Sequence, residues 1–277
     1  MLKTLVLISC LFWNSMLSFG QDKPDSLSSE QTQAAADDPS QFFTRTELFT
    51  ELQHHKNYGN NFYFNQTTWR TIVKIGNRFT TRLDVPFVYN SISAPAEYKQ
   101  FGLSDISFRL LGYKFLQSKK SAVTASLEIS LNTAQSPLLG SGKNILLPVV
   151  SYTAAFMENR MLLAFVFQEA ISFSGDEARD PVSFSKLQGI LLYSWSRRVW
   201  TVFAPELYVD YVRGGAAMNL EGRVAYAPTK RINLWAHTGV GLFGDFAPRY
   251  HWTVETGCRY FFLRNTMIKR KDNDSQK

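Results

Sequence analysis

The chain has little charge and almost no cysteine. Of its 277 residues, 19% are Asp, Glu, Lys or Arg, and two are cysteines. One of these, Cys10, lies in a signal-like N-terminus, which leaves Cys258 as the only cysteine of the mature chain. An intramolecular disulfide is therefore excluded, and an exported chain of this kind must be stable by other means. Beyond residue 20 there is no run of about 18 apolar residues, and mean hydropathy is −0.17, which together exclude a polytopic helical membrane protein. Clustered basic charge is absent from the body. The net charge of +7 is modest and no nucleic-acid motif accompanies it, so nucleic acid is not expected as a partner. Aromatic side chains are plentiful instead, at 14% within a composition that is 45% hydrophobic. That excludes disorder for most of the chain.

The two ends separate from the body. Residues 1–20 read as a secretory signal: Lys3 gives the positive start, Leu5 to Trp13 the apolar stretch, and Ser18-Phe19-Gly20 the small residues of a cleavage site. A lipoprotein reading of Leu7-Ile8-Ser9-Cys10 fails because the apolar run before Cys10 is too short and continues past it. Residues 21–41 are rich in Ser, Gln, Asp and Ala and read as a flexible periplasmic leader. Residues 264–277 form a basic, polar tail.

Residues 42–263 alternate with period two. In 121–133, Val123, Ala125, Leu127, Ile129 and Leu131 share one face, and Thr124, Ser126, Glu128, Ser130 and Asn132 the other. Windows around 78–87, 104–110, 220–226 and 251–260 repeat the pattern, which marks strands with one oily and one wet side. The spacing predicts twelve strands: 46–56, 62–75, 79–90, 104–116, 121–133, 146–156, 161–173, 182–196, 199–212, 218–227, 232–243 and 250–262. Most reach the roughly 9–11 residues that a tilted strand needs to cross a bilayer. Tight turns near 76–78, 117–120, 157–160, 197–198 and 228–230 alternate with longer loops at 57–61, 91–103, 134–145, 174–181, 213–217 and 244–249. Short turns on the periplasmic rim and longer loops outside are the habit of transmembrane antiparallel β-barrels. Tyr193, Trp195, Trp200, Tyr226, Tyr260 and Phe262 fall near the expected periplasmic rim, and Phe173, Tyr211, Tyr250 and Trp252 near the other, as paired aromatic girdles would. Two features run against this reading and leave a soluble lipocalin-like barrel as the alternative fold. Residues 146–156 and 161–173 are apolar on both faces, and Pro86, Pro148 and Pro205 lie within strands, where bulges are expected.

The last strand, Glu255-Thr256-Gly257-Cys258-Arg259-Tyr260-Phe261-Phe262, resembles the C-terminal insertion signal of outer-membrane barrels in Glu255, Gly257, Tyr260 and Phe262. That resemblance implies recognition by the barrel-assembly machinery. Three further stretches are similar to the family named for the MetA pathway of phenol degradation: Arg82-Leu83-Asp84-Val85-Pro86-Phe87, Gly102-Leu103-Ser104-Asp105 and Leu139-Gly140-Ser141-Gly142-Lys143. Where that family usually has Pro-Thr-Gly, this chain has Asn132-Thr133-Ala134. The resemblance covers roughly residues 60–150. It implies an all-β barrel in the outer membrane and passage of small solutes, aromatic or hydrophobic ones among them.

On the register above, the wet face turns inward. Arg70, Lys74, Arg82, Arg109, Lys186, Arg223 and Arg259 would share the lumen with Asp84, Asp105, Glu128, Glu206, Asp210, Glu221 and Glu255, and His237 joins them. These groups can brace the interior by pairing across strands, or form a wet track for solutes, or both. With seven of each sign, strong charge selectivity is not expected. His54 and His55 are adjacent and point to opposite faces, so no metal is expected, and Gly140-Ser141-Gly142-Lys143 lacks the first Gly of a phosphate loop, so neither is a nucleotide cofactor. An outer-membrane phospholipase A would need a Ser two residues after its His, which none of His54, His55, His237 or His251 has. The expectation is a non-enzymatic, channel-like transporter of small solutes. A lipid hydrolase working through His237, or a barrel that binds a partner through loops 91–103 and 134–145, is the alternative.

Overall fold

Lipid cannot satisfy backbone N–H and C=O groups, so a sheet with one lipid-facing side must close on itself. The computed structural model closes in this way. It describes residues 37–57, 60–92, 98–118, 120–136, 138–157, 160–244 and 250–262; the signal, most of the leader and the basic tail lie outside them. Among the described residues, thirteen antiparallel strands follow one another: β1 (Arg45–Asn57), β2 (Asn60–Ile75), β3 (Phe79–Ile92), β4 (Tyr98–Leu103), β5 (Ser107–Gln117), β6 (Ser121–Ser130), β7 (Lys143–Phe156), β8 (Met161–Gly175), β9 (Ser183–Ser194), β10 (Val199–Asp210), β11 (Ala216–Tyr226), β12 (Ile232–Phe243) and β13 (Trp252–Phe261). Both β4 and β5 pair with β3 and occupy one position in the wall. The barrel is therefore twelve strands round. Strand β1 pairs with β13 and β2, and β2 pairs with β3, which closes the ring.

The fold departs from the sequence expectation in three places. The loop expected at 91–103 is half strand, because β4 extends the wall upward from the break at 104–106. The connection expected at 57–61 is short: only two residues separate Asn57 from Asn60. Of the three prolines, only Pro86 meets a bulge. From Asp84↔Ser107 to Phe87↔Leu103, β3 advances three residues and the facing chain four, so an extra residue sits opposite Pro86, whose carbonyl accepts from Ser104 N at 2.9 Å. At Pro148 and Pro205 the register holds. Pairs Leu146↔Ile171 and Val149↔Gln168 keep step across Pro148, and Phe203↔Leu191 and Glu206↔Gln188 across Pro205. A missing N–H faces one neighbour only, so each proline interrupts one ladder and leaves the other intact.

The outside is oily. Leu48, Trp69, Phe101, Leu110, Phe115, Phe165, Phe203 and Val224 are among many large apolar side chains left uncovered, Phe101 at 70%. Water would penalise such a surface, whereas lipid would not. Register shifts in β5 turn both residues of Leu110-Leu111 and of Phe115-Leu116 outward, a bulge at each apolar doublet. Near the periplasmic end the rings meet in pairs on this surface: Phe79–Tyr113 at 4.9 Å, Tyr193–Trp195 at 4.8 Å and Tyr260–Phe262 at 5.1 Å.

Candidate functional site

Register sets opposite charges face to face inside the barrel. Glu47 lies between Arg259 on β13 and Arg70 on β2, Arg70 faces Asp84 on β3, and Arg109 faces Glu128 on β6. The side chains link into a belt. Arg259 Nε donates to Glu47 at 2.7 Å, Glu47 stands 3.8 Å from Arg70, and Arg70 grips both oxygens of Asp84 at 2.8 and 2.9 Å. Arg82 joins Asp84 at 3.2 Å to Glu128 at 2.5 Å, and Glu128 accepts from Arg109 at 2.8 Å. Arg82 and Arg109 are direct neighbours across strands, and the shared carboxylate of Glu128 offsets their repulsion. The belt covers half the circumference, from β13 through β1, β2, β3 and β5 to β6.

The facing wall carries no such charge. Inward positions of β7 from Ile145 to Thr153 and of β8 from Ala164 to Ala170 are Ile145, Leu147, Val149, Ser151, Thr153, Ala164, Val166, Gln168 and Ala170. This explains why both segments read as apolar on two faces: one face meets lipid and the other lines the lumen. Between belt and wall lies a cavity of about 580 Å³, lined by Arg70, Arg82, Arg109 and Glu128 on one side and Leu147, Val149, Val166 and Ile190 on the other. Toward the extracellular end, Glu206 accepts from Lys186 at 2.6 Å and Gln188 at 2.7 Å, and Glu221 accepts from Tyr250 at 2.6 Å with His237 Nε2 at 3.3 Å.

Both mouths are narrowed by the chain itself. Residues 37–41, assigned by composition to a flexible leader, fold into the lumen from the periplasmic end. Asp37 accepts from Trp200 Nε1 at 2.6 Å, Arg223 at 3.2 Å and Arg259 at 3.1 Å. Burial pushes the Asp37 carboxyl up, but Arg259 and Arg223 outweigh it and hold the group below the ordinary carboxylate range. The seat thus favours the ionised leader at neutral pH and loses it only as pH falls through that lowered value. Asp38 accepts from the N–H and hydroxyl of Ser40, both at 2.8 Å, and buried Phe42 lies 5.3 Å from the Lys114 ammonium. At the other mouth, the segment after β6 turns inward against β3 and β4. Leu139 is buried, Ser104 donates to its carbonyl, and Asn90 donates to that of Leu138.

Asp105 organises that inward loop. It accepts from Thr133 N and Ala134 N at 3.2 Å each, and from Ser141 N at 2.6 Å and Oγ at 2.8 Å. It is therefore a loop anchor and not a lumen charge. Two of the stretches that carry the family resemblance, Gly102 to Asp105 and Leu139 to Lys143, meet here. A Cβ on Gly140 would overlap Ala134 and the Asp105 carboxylate. Gly140→Ala is expected to unseat the loop, and limited trypsin digestion should then cut faster at Lys143 in the variant than in the parent.

Arg70, Arg82, Asp84, Arg109, Glu128, Lys186, Glu206, Glu221, Arg223, His237, Glu255 and Arg259 all face the lumen as the alternation predicts. Lys74 stands exposed at the periplasmic mouth. Asp210 departs from expectation: its carboxylate caps a turn by accepting from Val212 N and Arg213 N at 2.7 and 2.9 Å. Two expected girdle residues also turn inward. Trp200 is wholly buried, and Tyr250 reaches Glu221 over Gly239, where a side chain would strike its hydroxyl. Absent from the sequence reading were Asp37, Glu47, Glu51, Lys114 and Trp235. Glu47 and Glu51 alternate with Leu48 and Thr50, a weak contrast that a local pattern hardly marks.

Within the resembled insertion signal, Tyr260 and Phe262 point outward, while Glu255 and Gly257 serve the lumen. Trp235 donates to Glu255 at 2.6 Å and lies flat over Gly257, where any Cβ would overlap the indole. Gly257→Val is expected to displace Trp235 and to destabilise the barrel by about 1–3 kcal/mol. Gly222→Ala is the control, because an added Cβ there meets nothing. The midpoint temperature of the folded-to-unfolded mobility shift on electrophoresis should fall for the first and hold for the second.

No family model and no curated protein sequence matches the chain. Solved structures do. The COG4313 outer membrane channel from Pseudomonas putida F1 superposes with a TM-score of 0.68 at 11% identity, covering 88% of this chain and 100% of that one. The KdgM porin, solved in complex with disordered oligogalacturonate, gives 0.54 at 11% identity over 79% and 99%. The translocator domain of the autotransporter NalP from Neisseria meningitidis gives 0.52 at 10% identity over 84% and 93%. At such identity the likeness is one of fold, and the fold is that of bacterial outer-membrane barrels.

Proposed function

We propose that the protein is an outer-membrane channel that passes small solutes of part-apolar, part-polar character through its lumen, as the likeness to the MetA-pathway family also implies. One observation carries this reading: the cavity is two-sided, with a charged belt facing an uncharged, largely aliphatic wall. A solute with an apolar body can slide along β7–β9 while its polar groups exchange hydrogen bonds with the belt. Paired charges keep the belt near neutral, so along the belt size and amphipathy select more than charge does. The resemblance of Tyr260 and Phe262 to an insertion signal makes the barrel-assembly machinery a partner in the same reading.

The hydrolase alternative gains no support from geometry. His237 faces the lumen and is turned to Glu221, away from the lipid on which a phospholipase acts. Reconstitution in planar bilayers and in liposomes tests the channel. Discrete conductance steps and swelling in small uncharged solutes are expected; a protein that inserts and shows neither overturns the proposal.

A further inference from the structure

The seat of Asp37 is built without Asp37. Arg259 is fixed by Glu47 at 2.7 Å and Arg223 by Glu255 at 3.3 Å, and both guanidinium groups lie over the Trp235 ring, at 5.2 and 5.5 Å. Trp200 is locked among Leu192, Ala225 and Ala227. Withdrawing the leader would leave three donors aimed at one point, the Trp200 indole N–H among them. Donors fixed in this way are met better by one anion that spans them than by separate waters. The geometry of the seat specifies which kind. Two arginines converge on one oxygen of the occupant and the indole meets the other, which matches a planar carboxylate. The seat also adjoins a pocket of about 90 Å³ that Asp37 itself borders, lined by the apolar Ile190, Val202 and Ala204 together with Gln188, Glu221 and His237.

We infer that this seat is a receptor for the carboxylate of a monoanionic solute with an apolar body, and that Asp37 is its built-in stand-in. The inference rests on the channel reading and names a solute class for it. Such a solute places its carboxylate on Trp200, Arg223 and Arg259 and its body on Ile190 and Val202, and the leader is displaced as it enters. Tethered to the barrel, Asp37 competes at an effective concentration in the roughly millimolar range, so the seat is masked in the parent protein.

The test measures binding of 4-fluorobenzoate by fluorine NMR to the full mature chain in detergent, with 4-fluorobenzyl alcohol as the uncharged control. Asp37→Ala should bind the carboxylate at least about tenfold more tightly than the parent, and the alcohol no more tightly. Adding Trp200→Phe, which keeps a large ring and removes the donor, should reverse most of that gain. Equal affinity of parent and Asp37→Ala for the carboxylate, or an equal gain for the alcohol, overturns the inference. Heat-modified mobility on electrophoresis confirms that each variant is folded. Binding is read at equilibrium without flux, so its failure leaves the channel reading standing, and a failure of conductance leaves the binding result intact.

Discussion

Deleting residues 21–41 is expected to raise single-channel conductance several-fold while the barrel stays folded. The reason lies in where the end of that segment sits. Asp37 bridges Trp200 on β10, Arg223 on β11 and Arg259 on β13, so the chain crosses the lumen before it enters β1. Asp38 and Ser40 close a tight turn beside it, and Phe42 fills space next to Lys114. Residues 37–41 contribute nothing to the strand ladders that close the wall, so the deletion, which retains Phe42, widens the path without opening the sheet. Asp37→Ala separates the tether from the obstacle. It keeps the segment but removes the three bonds that hold it, so brief openings to the larger level should appear in place of a permanent increase. Planar-bilayer recordings of the parent, the deletion and the point variant decide the matter. Identical conductance in all three would mean that the leader does not limit the path.

The strands were legible because period two is a local signal. Oily and wet residues alternate within ten positions, and the predicted 199–212 and 232–243 match β10 at Val199–Asp210 and β12 at Ile232–Phe243. What stayed hidden depends on partners far along the chain. Asp37 reads as part of a polar leader, and its arginines lie 186 and 222 residues away. Trp200 sits where a girdle aromatic should be, yet its indole is needed inside as a donor to that aspartate. Asp105 and Asp210 alternate correctly and still leave the path, because nearby backbone N–H groups of loops compete for a carboxylate at a strand end. The break between β4 and β5 is marked only by Pro86 on the neighbouring strand, a cue that becomes readable once pairing is known. Parity thus reveals which face a residue takes, and the chemistry of that face comes from contacts parity does not contain.

Glu128→Leu should cost about 3 kcal/mol, at the low end of the range for breaking a buried pair. Glu128 is 6% exposed and serves two cations, Arg82 on β3 and Arg109 on β5. Leucine keeps the volume and strands both. Arg82 retains Asp84 at 3.2 Å, whereas Arg109 has no second carboxylate among the ion pairs of the described residues. Lumen water reaches the arginine side chains, which are 16% and 20% exposed, and this screening keeps the loss from being larger. Arg109→Leu with Glu128→Leu should recover about half of the loss, because the cation left worst off goes with its partner. The midpoint of urea unfolding in detergent, compared across the parent, the single and the double variant, reads both numbers. A single-variant loss under about 1 kcal/mol would mean that water and not the carboxylate balances these arginines. The belt would then be a hydrated track rather than a brace, and conductance, not stability, would be the property that Glu128 controls.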